Sequence, residues 1–157
     1  MSLEHELGLK KPFSILEHEA ILNIYYTGSQ IKKKADGLFR SFSLTDVQFN
    51  VMALLYHHSG SVGGLSQAQL SDMMLVNRAN ITSLIDRMEK ADLVVRTASP
   101  DDRRYNIVKL TTRGKKLFVR VDPLYVKEVR KIMASLKGAE QKKLIKMLEQ
   151  IRKELLQ

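Results

Sequence analysis

Six side chains in one short stretch, Arg78, Ala79, Asn80, Thr82, Ser83 and Arg87, have the types and spacing to read a surface of hydrogen-bond donors and acceptors. Arginine presents a fork of donors, asparagine a donor beside an acceptor, and a hydroxyl takes either role. Alanine lets the backbone come close. The grooves of duplex nucleic acid are such a surface, and the wide major groove admits a helix. Asn80 fits an adenine edge, and Arg78 fits guanine or a phosphate. Thr82 serves equally as a phosphate contact or as ordinary helix filling, and Asn77 is best read as a helix cap. A second group, Asp102, Arg103 and Arg104, lies in the polar run Ser99-Pro100-Asp101-Asp102-Arg103-Arg104. The narrower minor groove attracts an inserted guanidinium.

Other reactive residue types lack the partners that catalysis or metal binding would need. His57 and His58 are adjacent, so on a helix they point to different sides and chelate poorly. His18 stands between Glu17 and Glu19, with no second histidine one turn away. Asp101 and Asp102 are neighbouring acids beside two arginines, a poor setting for a general acid. Gly63 and Gly64 read as turn residues, and no phosphate-cradling loop, His-Glu-x-x-His or Gly-x-Ser-x-Gly pattern is present. The chain contains no cysteine, which excludes a disulfide, a thiolate nucleophile and a thiol redox sensor. No enzyme, cofactor or metal site is expected.

The elements that position the six side chains follow from periodicity. Ser66 with Gln69 makes a capping box, and Leu70, Met73 and Met74 give the following short helix an apolar side. A tight Leu75-Val76 connection leads to Asn77, which caps a second helix. That helix carries Ile81, Leu84, Ile85 and Met88 at helical spacing. The period then changes to two. Val94-Val95-Arg96-Thr97 and Asn106-Ile107-Val108-Lys109-Leu110 read as strands joined by the arginine-tipped turn.

Helix, tight turn, helix and basic-tipped hairpin is the order of a winged helix-turn-helix. With Leu44-Thr45 and Gln48, Ile81-Thr82, Leu93-Val94, Asp102-Arg103-Arg104 and Leu110-Thr111 with Gly114, the chain resembles the multiple-antibiotic-resistance regulator (MarR) family. The likeness covers nearly the whole chain. The wing followed by Leu-Thr-x-x-Gly is its most specific part. The resemblance implies minor-groove insertion by Arg104, with Asp102 pairing back to hold it. It also implies a homodimer on a roughly palindromic operator of double-stranded DNA. A small aromatic or anionic effector would bind between the dimer helices and the DNA-binding lobe. The nearest side chains here are Tyr25, Phe49, Met52, Tyr56 and His57, which as apolar residues at helical spacing also read as plain core.

Composition agrees with a basic binding protein. The 157 residues carry a net charge of +9 and are 44% hydrophobic, enough for a core. Residues 1–60 are balanced, 61–116 hold a net +4 and 117–157 a net +5. An excess of cations calls for an anionic partner, although a basic tail is equally a solvated helix face. Lys109, Arg113, Lys115 and Lys116 are candidates for phosphate contact near the wing base. No apolar run reaches membrane-spanning length and no secretory signal is visible, so a cytoplasmic protein is expected. Two further classes fit the same charge: a basic nucleic-acid-binding module without sequence preference, and a winged helix used as a protein-interaction platform.

The rest of the chain completes the architecture. Residues 1–12 read as a loose arm. Ser14 with Glu17 suggests another capping box, opening a helix near Ile15 that continues to about Phe39. The lysines 32–34 on it read as a solvated face. Thr45 with Gln48 caps a third helix ending at Ser59-Gly60. Thr111 caps a long helix that Pro123 should kink or interrupt. A last helix carries Leu144, Leu148, Ile151 and Leu155, a heptad-like seam too apolar for water. The expected fold is mainly α in a single domain, 1–157. A winged helix-turn-helix lobe with a two-stranded wing spans 44–111, and the helices of 13–40 and 112–157 form a dimerisation region.

Overall fold

Three capping boxes were expected from the sequence, and two form as drawn. In the computed structural model, which describes residues 2–61, 63–74, 77–100 and 105–156, Thr45 accepts from the Gln48 amide while Gln48 Oε1 accepts from the Thr45 N–H at 2.9 Å. Ser66 and Gln69 do the same, at 3.1 and 2.8 Å. Ser14 does not cap. The helix begins one residue later than expected, with Ile15 as a cap whose side chain offers no hydrogen bond. The arm before it is not loose. Leu3–Glu6 forms a short helix, α1, whose Leu3 is buried, and Glu4 accepts from the Phe13 N–H at 2.8 Å.

The elements then follow in order: α2 (Leu16–Arg40), α3 (Asp46–His58), β1 (Leu65–Ser66), α4 (Gln67–Met74), α5 (Arg78–Lys90), β2 (Val94–Ala98), β3 (Asn106–Leu110), α6 (Thr112–Ile132), a 3-10 turn (Met133–Ser135) and α7 (Gly138–Leu155). Pro123 removes the hydrogen bond to the carbonyl of Val119, but it does not interrupt α6. The chain divides into two compact units, Met1–Val119 and Arg120–Gln157. No helix among the described residues is long and apolar enough to cross a membrane.

The sheet has three strands, not the two expected. Its order is β1-β3-β2, all antiparallel, with Leu65 opposite Val108 and Arg96 also opposite Val108. Two residues of β1 are too short to show a period of two, so they gave no strand signal. Gly64, read as a turn residue, has a packing reason as well. A Cβ there would meet the Val108 carbonyl oxygen at 2.7 Å, so glycine lets the chain run close against β3.

Within the first unit, α3 is the centre of the core. Its Val51 and Met52 are fully buried, and Phe49 stacks on Phe39 and Phe118 with ring centroids 4.5 and 5.4 Å apart. The α5–β2 connection is gripped from α6. Thr111 Oγ1 donates to the Asp92 carbonyl at 2.6 Å and accepts from the Gly114 N–H at 2.9 Å. Asp92 adopts φ +55°, and the Leu93 N–H returns to the Met88 carbonyl at 2.9 Å, closing the end of α5. In the second unit, Leu144, Ile151 and Leu155 of the α7 seam are 38%, 37% and 77% exposed, so the seam is incompletely covered in the single chain.

Candidate nucleic-acid interface

Burial of one side of α5 decides which residues face outward. Ile81, Leu84, Ile85 and Met88 are buried. Helical geometry therefore turns Arg78, Ala79, Asn80, Thr82, Ser83 and Arg87 to solvent, and all six are exposed. The helix starts where it does because Asn77 Oδ1 accepts from the Asn80 N–H at 2.9 Å, the capping role read for Asn77. Thr82 Oγ1 donates to the Arg78 carbonyl at 3.0 Å, and Arg87 Nε donates to the Ser83 carbonyl at 3.3 Å. These bonds lay both side chains along the helix.

The two expected strands pair, from Val94–Leu110 to Ala98–Asn106, the first running one residue beyond its expected end at Thr97, and the Ser99 N–H donates to the Tyr105 carbonyl at 2.7 Å beyond them. Asp102, Arg103 and Arg104 lie outside the described residues. At the base of the wing, Arg113, Lys115 and Lys116 are exposed and Lys109 is half-buried.

Sequence reasoning gave no role to Arg96, which joins β2 to α5 through two carboxylates. Its Nη1 donates to Glu89 Oε2 at 2.5 Å, its Nη2 to Asp86 Oδ1 at 2.6 Å, and its backbone N–H to Glu89 Oε1 at 2.8 Å. Partial burial works against its charge, but its hydrogen bonds to the Asp86 and Glu89 carboxylates outweigh that cost and hold its pKa above the ordinary arginine value. The only sequence signal was an arginine with acids seven and ten residues before it.

The residues proposed for an effector are not all alike. Phe49 and Met52 are buried in the core. Tyr56 and His57 gather at Phe118, with centroid distances of 4.7 and 5.7 Å, and Tyr56 keeps 40% exposure. Tyr25 is 69% exposed on α2. The His57 ring packs on Phe118, and its centroid stands 6.5 Å from that of His58. Both histidines line one cleft of about 390 Å³ with Asn50, Met73 and Met74. Among the described residues, no group of three or more His, Cys, Asp or Glu side chains is placed to hold a metal.

A larger cleft, about 610 Å³, was not foreseen. It lies beside α5, bordered by Arg40, Val47, Ile81, Leu84 and Arg87. Lys32, read as part of a solvated face, closes one side by bonding Asp46 at 2.9 Å and Asp36 at 3.3 Å. The Asp46 hydrogen bond is the main reason its pKa is raised; it outweighs desolvation, and Asp36 adds to it.

The sequence profile described as MarR family matches residues 42–104. The chain is 30% identical over 108 residues to the HTH-type transcriptional regulator MhqR of Bacillus subtilis (strain 168), spanning 69% of this chain and 72% of that one. It is 28% identical over 126 residues to the HTH-type transcriptional regulator PecS of Dickeya dadantii (strain 3937), spanning 80% and 75%. Among solved structures, AbsC, a MarR family transcriptional regulator from Streptomyces coelicolor, matches with a TM-score of 0.83 at 22% identity, over 93% of this chain and 98% of that one. MepR of S. aureus, in its DNA complex, matches at 0.77 and 21% identity, over 84% and 93%. At these identities the structural likeness establishes the fold.

Proposed function

This chain belongs to the MarR family of helix-turn-helix transcriptional regulators, and on that premise we propose that it is a sequence-specific repressor that binds a palindromic operator as a homodimer. The observation that carries the reading is the division of α5. Its apolar side is used up by the core, and its outward side is a continuous set of short polar and basic residues. Arg78, Ala79, Asn80, Thr82 and Ser83 approach base edges and phosphates in the major groove, with Arg87 further along. Arg103 and Arg104 work from the wing. Arg104 enters the minor groove, and Asp102 orients it.

The dimer is proposed from apolar surface left open in each unit. Ile21 and Ile24 on α2 are 42% and 38% exposed, a level matched by Leu144 and Ile151 on α7. A two-fold axis then places two copies of α5 on half-sites about one helical turn, roughly 10 bp, apart. The helices of 13–40 and 112–157 form the dimerisation region, the lobe of 44–111 reads DNA, and the protein works in the cytoplasm.

A small aromatic or anionic effector releases the operator. It acts by preferring a dimer geometry in which the two α5 helices are mis-spaced. Tyr56 and His57, accessible beside Phe118, are its nearest contacts, with Tyr25 at the edge. Phe49 and Met52 act from beneath, as packing.

The test is selection of bound fragments from the source genome. The reading expects the recovered fragments to share an inverted repeat with half-site centres about 10 bp apart. Fragments without a common sequence would instead make this a basic module without operator preference.

A further inference from the structure

An arginine offers five N–H donors in a rigid planar fork, so it can fasten several elements at once when several of those donors meet acceptors. Arg96 engages four of them. It sits on β2, one of the two edge strands of the sheet, and its main-chain N–H and Nη1 both go to the Glu89 carboxylate. Nη2 goes to Asp86 on the same helix, α5. With the Gln67 amide oxygen turned toward it, Nη2 and Nε reach that oxygen at 2.8 and 3.0 Å. One side chain thus ties the wing strand to α5 and to the first residue of α4. The chain of contacts runs on to the proposed DNA face. The Gln67 amide lies 3.4 Å from Thr82 Oγ1, the hydroxyl that also holds the Arg78 carbonyl.

We propose that Arg96 is a positioning residue for operator discrimination: it fixes the wing strand and α4 relative to α5 through Glu89, Asp86 and Gln67, and through Gln67 it orients the Thr82 side chain, without touching DNA itself. The inference rests on the operator reading above. Its logic is the different tolerance of two kinds of contact. Attraction to phosphates is electrostatic and falls off gradually, so a small displacement of the lobe changes it little. A base-edge hydrogen bond weakens steeply with angle and distance, so the same displacement is felt where sequence is read. Arg96 also neutralises Asp86, an anion on the outward side of α5 whose side chain is 51% exposed. The Arg96 side chain is 22% exposed and its two partners 51% and 35%, so these pairs are partly screened by solvent and contribute modestly to folding. The functional effect of loosening them should therefore exceed the structural one.

Two variants separate the possibilities. Arg96→Lys keeps the charge and loses the fork, and Gln67→Leu removes one arm of the network with no change of charge. Each is titrated against a genome-selected operator and a shuffled duplex of the same length at one salt concentration, with melting followed by circular dichroism. The expected result for both is a roughly tenfold fall in operator affinity, with shuffled-duplex affinity within about twofold. The dependence of affinity on salt should be unchanged, because no phosphate contact is lost. If the operator-to-shuffled ratio of both variants equals that of the wild type, or if both duplexes lose affinity equally, the positioning role is wrong. Should Arg96→Lys melt early, Gln67→Leu decides alone. A wild type that itself fails to distinguish the two duplexes would overturn the operator reading and this proposal with it. That outcome is visible before any variant is made.

Discussion

Replacing Gly114 with alanine should destabilise the protein, although the same change in an open helix would stabilise it. Gly114 lies in the first turn of α6, where the backbone packs directly on the α5–β2 connection. A Cβ there would stand 2.0 Å from the Leu93 carbonyl oxygen and 2.9 Å from its carbon. Ordinary contact begins more than 1 Å further out. Neither atom belongs to a side chain that can rotate away. Leu93 is itself 4% exposed and held by its N–H to Met88, and its carbonyl accepts from the Thr111 N–H at 3.1 Å. Making room must stretch or break the Thr111 bonds that join α6 to the wing strand. Overpacking costs about 1–3 kcal/mol and each net hydrogen bond about 0.5–1.5 kcal/mol, while alanine returns about 1 kcal/mol of helix propensity. With both Thr111 bonds lost, the balance is a loss of about 1–5 kcal/mol, or a fall in Tm of roughly 2–20 °C for a chain of this size. Urea and thermal unfolding of Gly114→Ala measure it. Gly37→Ala is the control, because a Cβ at Gly37 meets nothing within 4 Å; it should gain about 0.5–1 kcal/mol. A Gly114→Ala variant as stable as the wild type would show that this contact between α6 and the lobe is not held as described.

Thr45→Ala removes the hydroxyl of a complete capping box and should cost about 1 kcal/mol in a urea titration. Arg104→Ala should weaken operator binding by about 1–3 kcal/mol and lower the log-log salt slope by roughly one phosphate. Asp102→Ala should weaken binding too, against the sign expected from charge alone. If it binds more tightly at every salt concentration, the orienting role of Asp102 is wrong. Polar replacement of Leu148 together with Ile151 should convert the protein to a monomer in light scattering and abolish operator binding, whereas a wild type already monomeric at micromolar concentration and fully able to bind would remove the dimer from the account.

What could be read in advance was what depends on near neighbours. The Thr45–Gln48 and Ser66–Gln69 boxes, the Asn77 cap and the buried side of α5 rest on spacings of three and four residues, and all of them form. The two strands of the wing followed from a clear change of period, though not their register or the inclusion of Ala98. What could not be read depends on tertiary encounter. β1 exists because Gly64 lets Leu65 and Ser66 reach β3, and two residues carry no period. Ser14 and Glu17 have the letters of a capping box, yet the chain enters α2 one residue later. Arg96 gathers acceptors 7, 10 and 29 residues away, and only the fold brings them together.

The central claim is that the outward side of α5 reads base sequence. Its most direct test is a competition titration at fixed, near-physiological salt, with a genome-selected operator against a shuffled duplex of equal length and composition. The account predicts operator affinity about 10³-fold or more above that for the shuffled duplex, within the range of sequence-specific binders. A ratio near one, with both duplexes bound and both released by salt alike, would contradict it and leave α5 as one more basic surface.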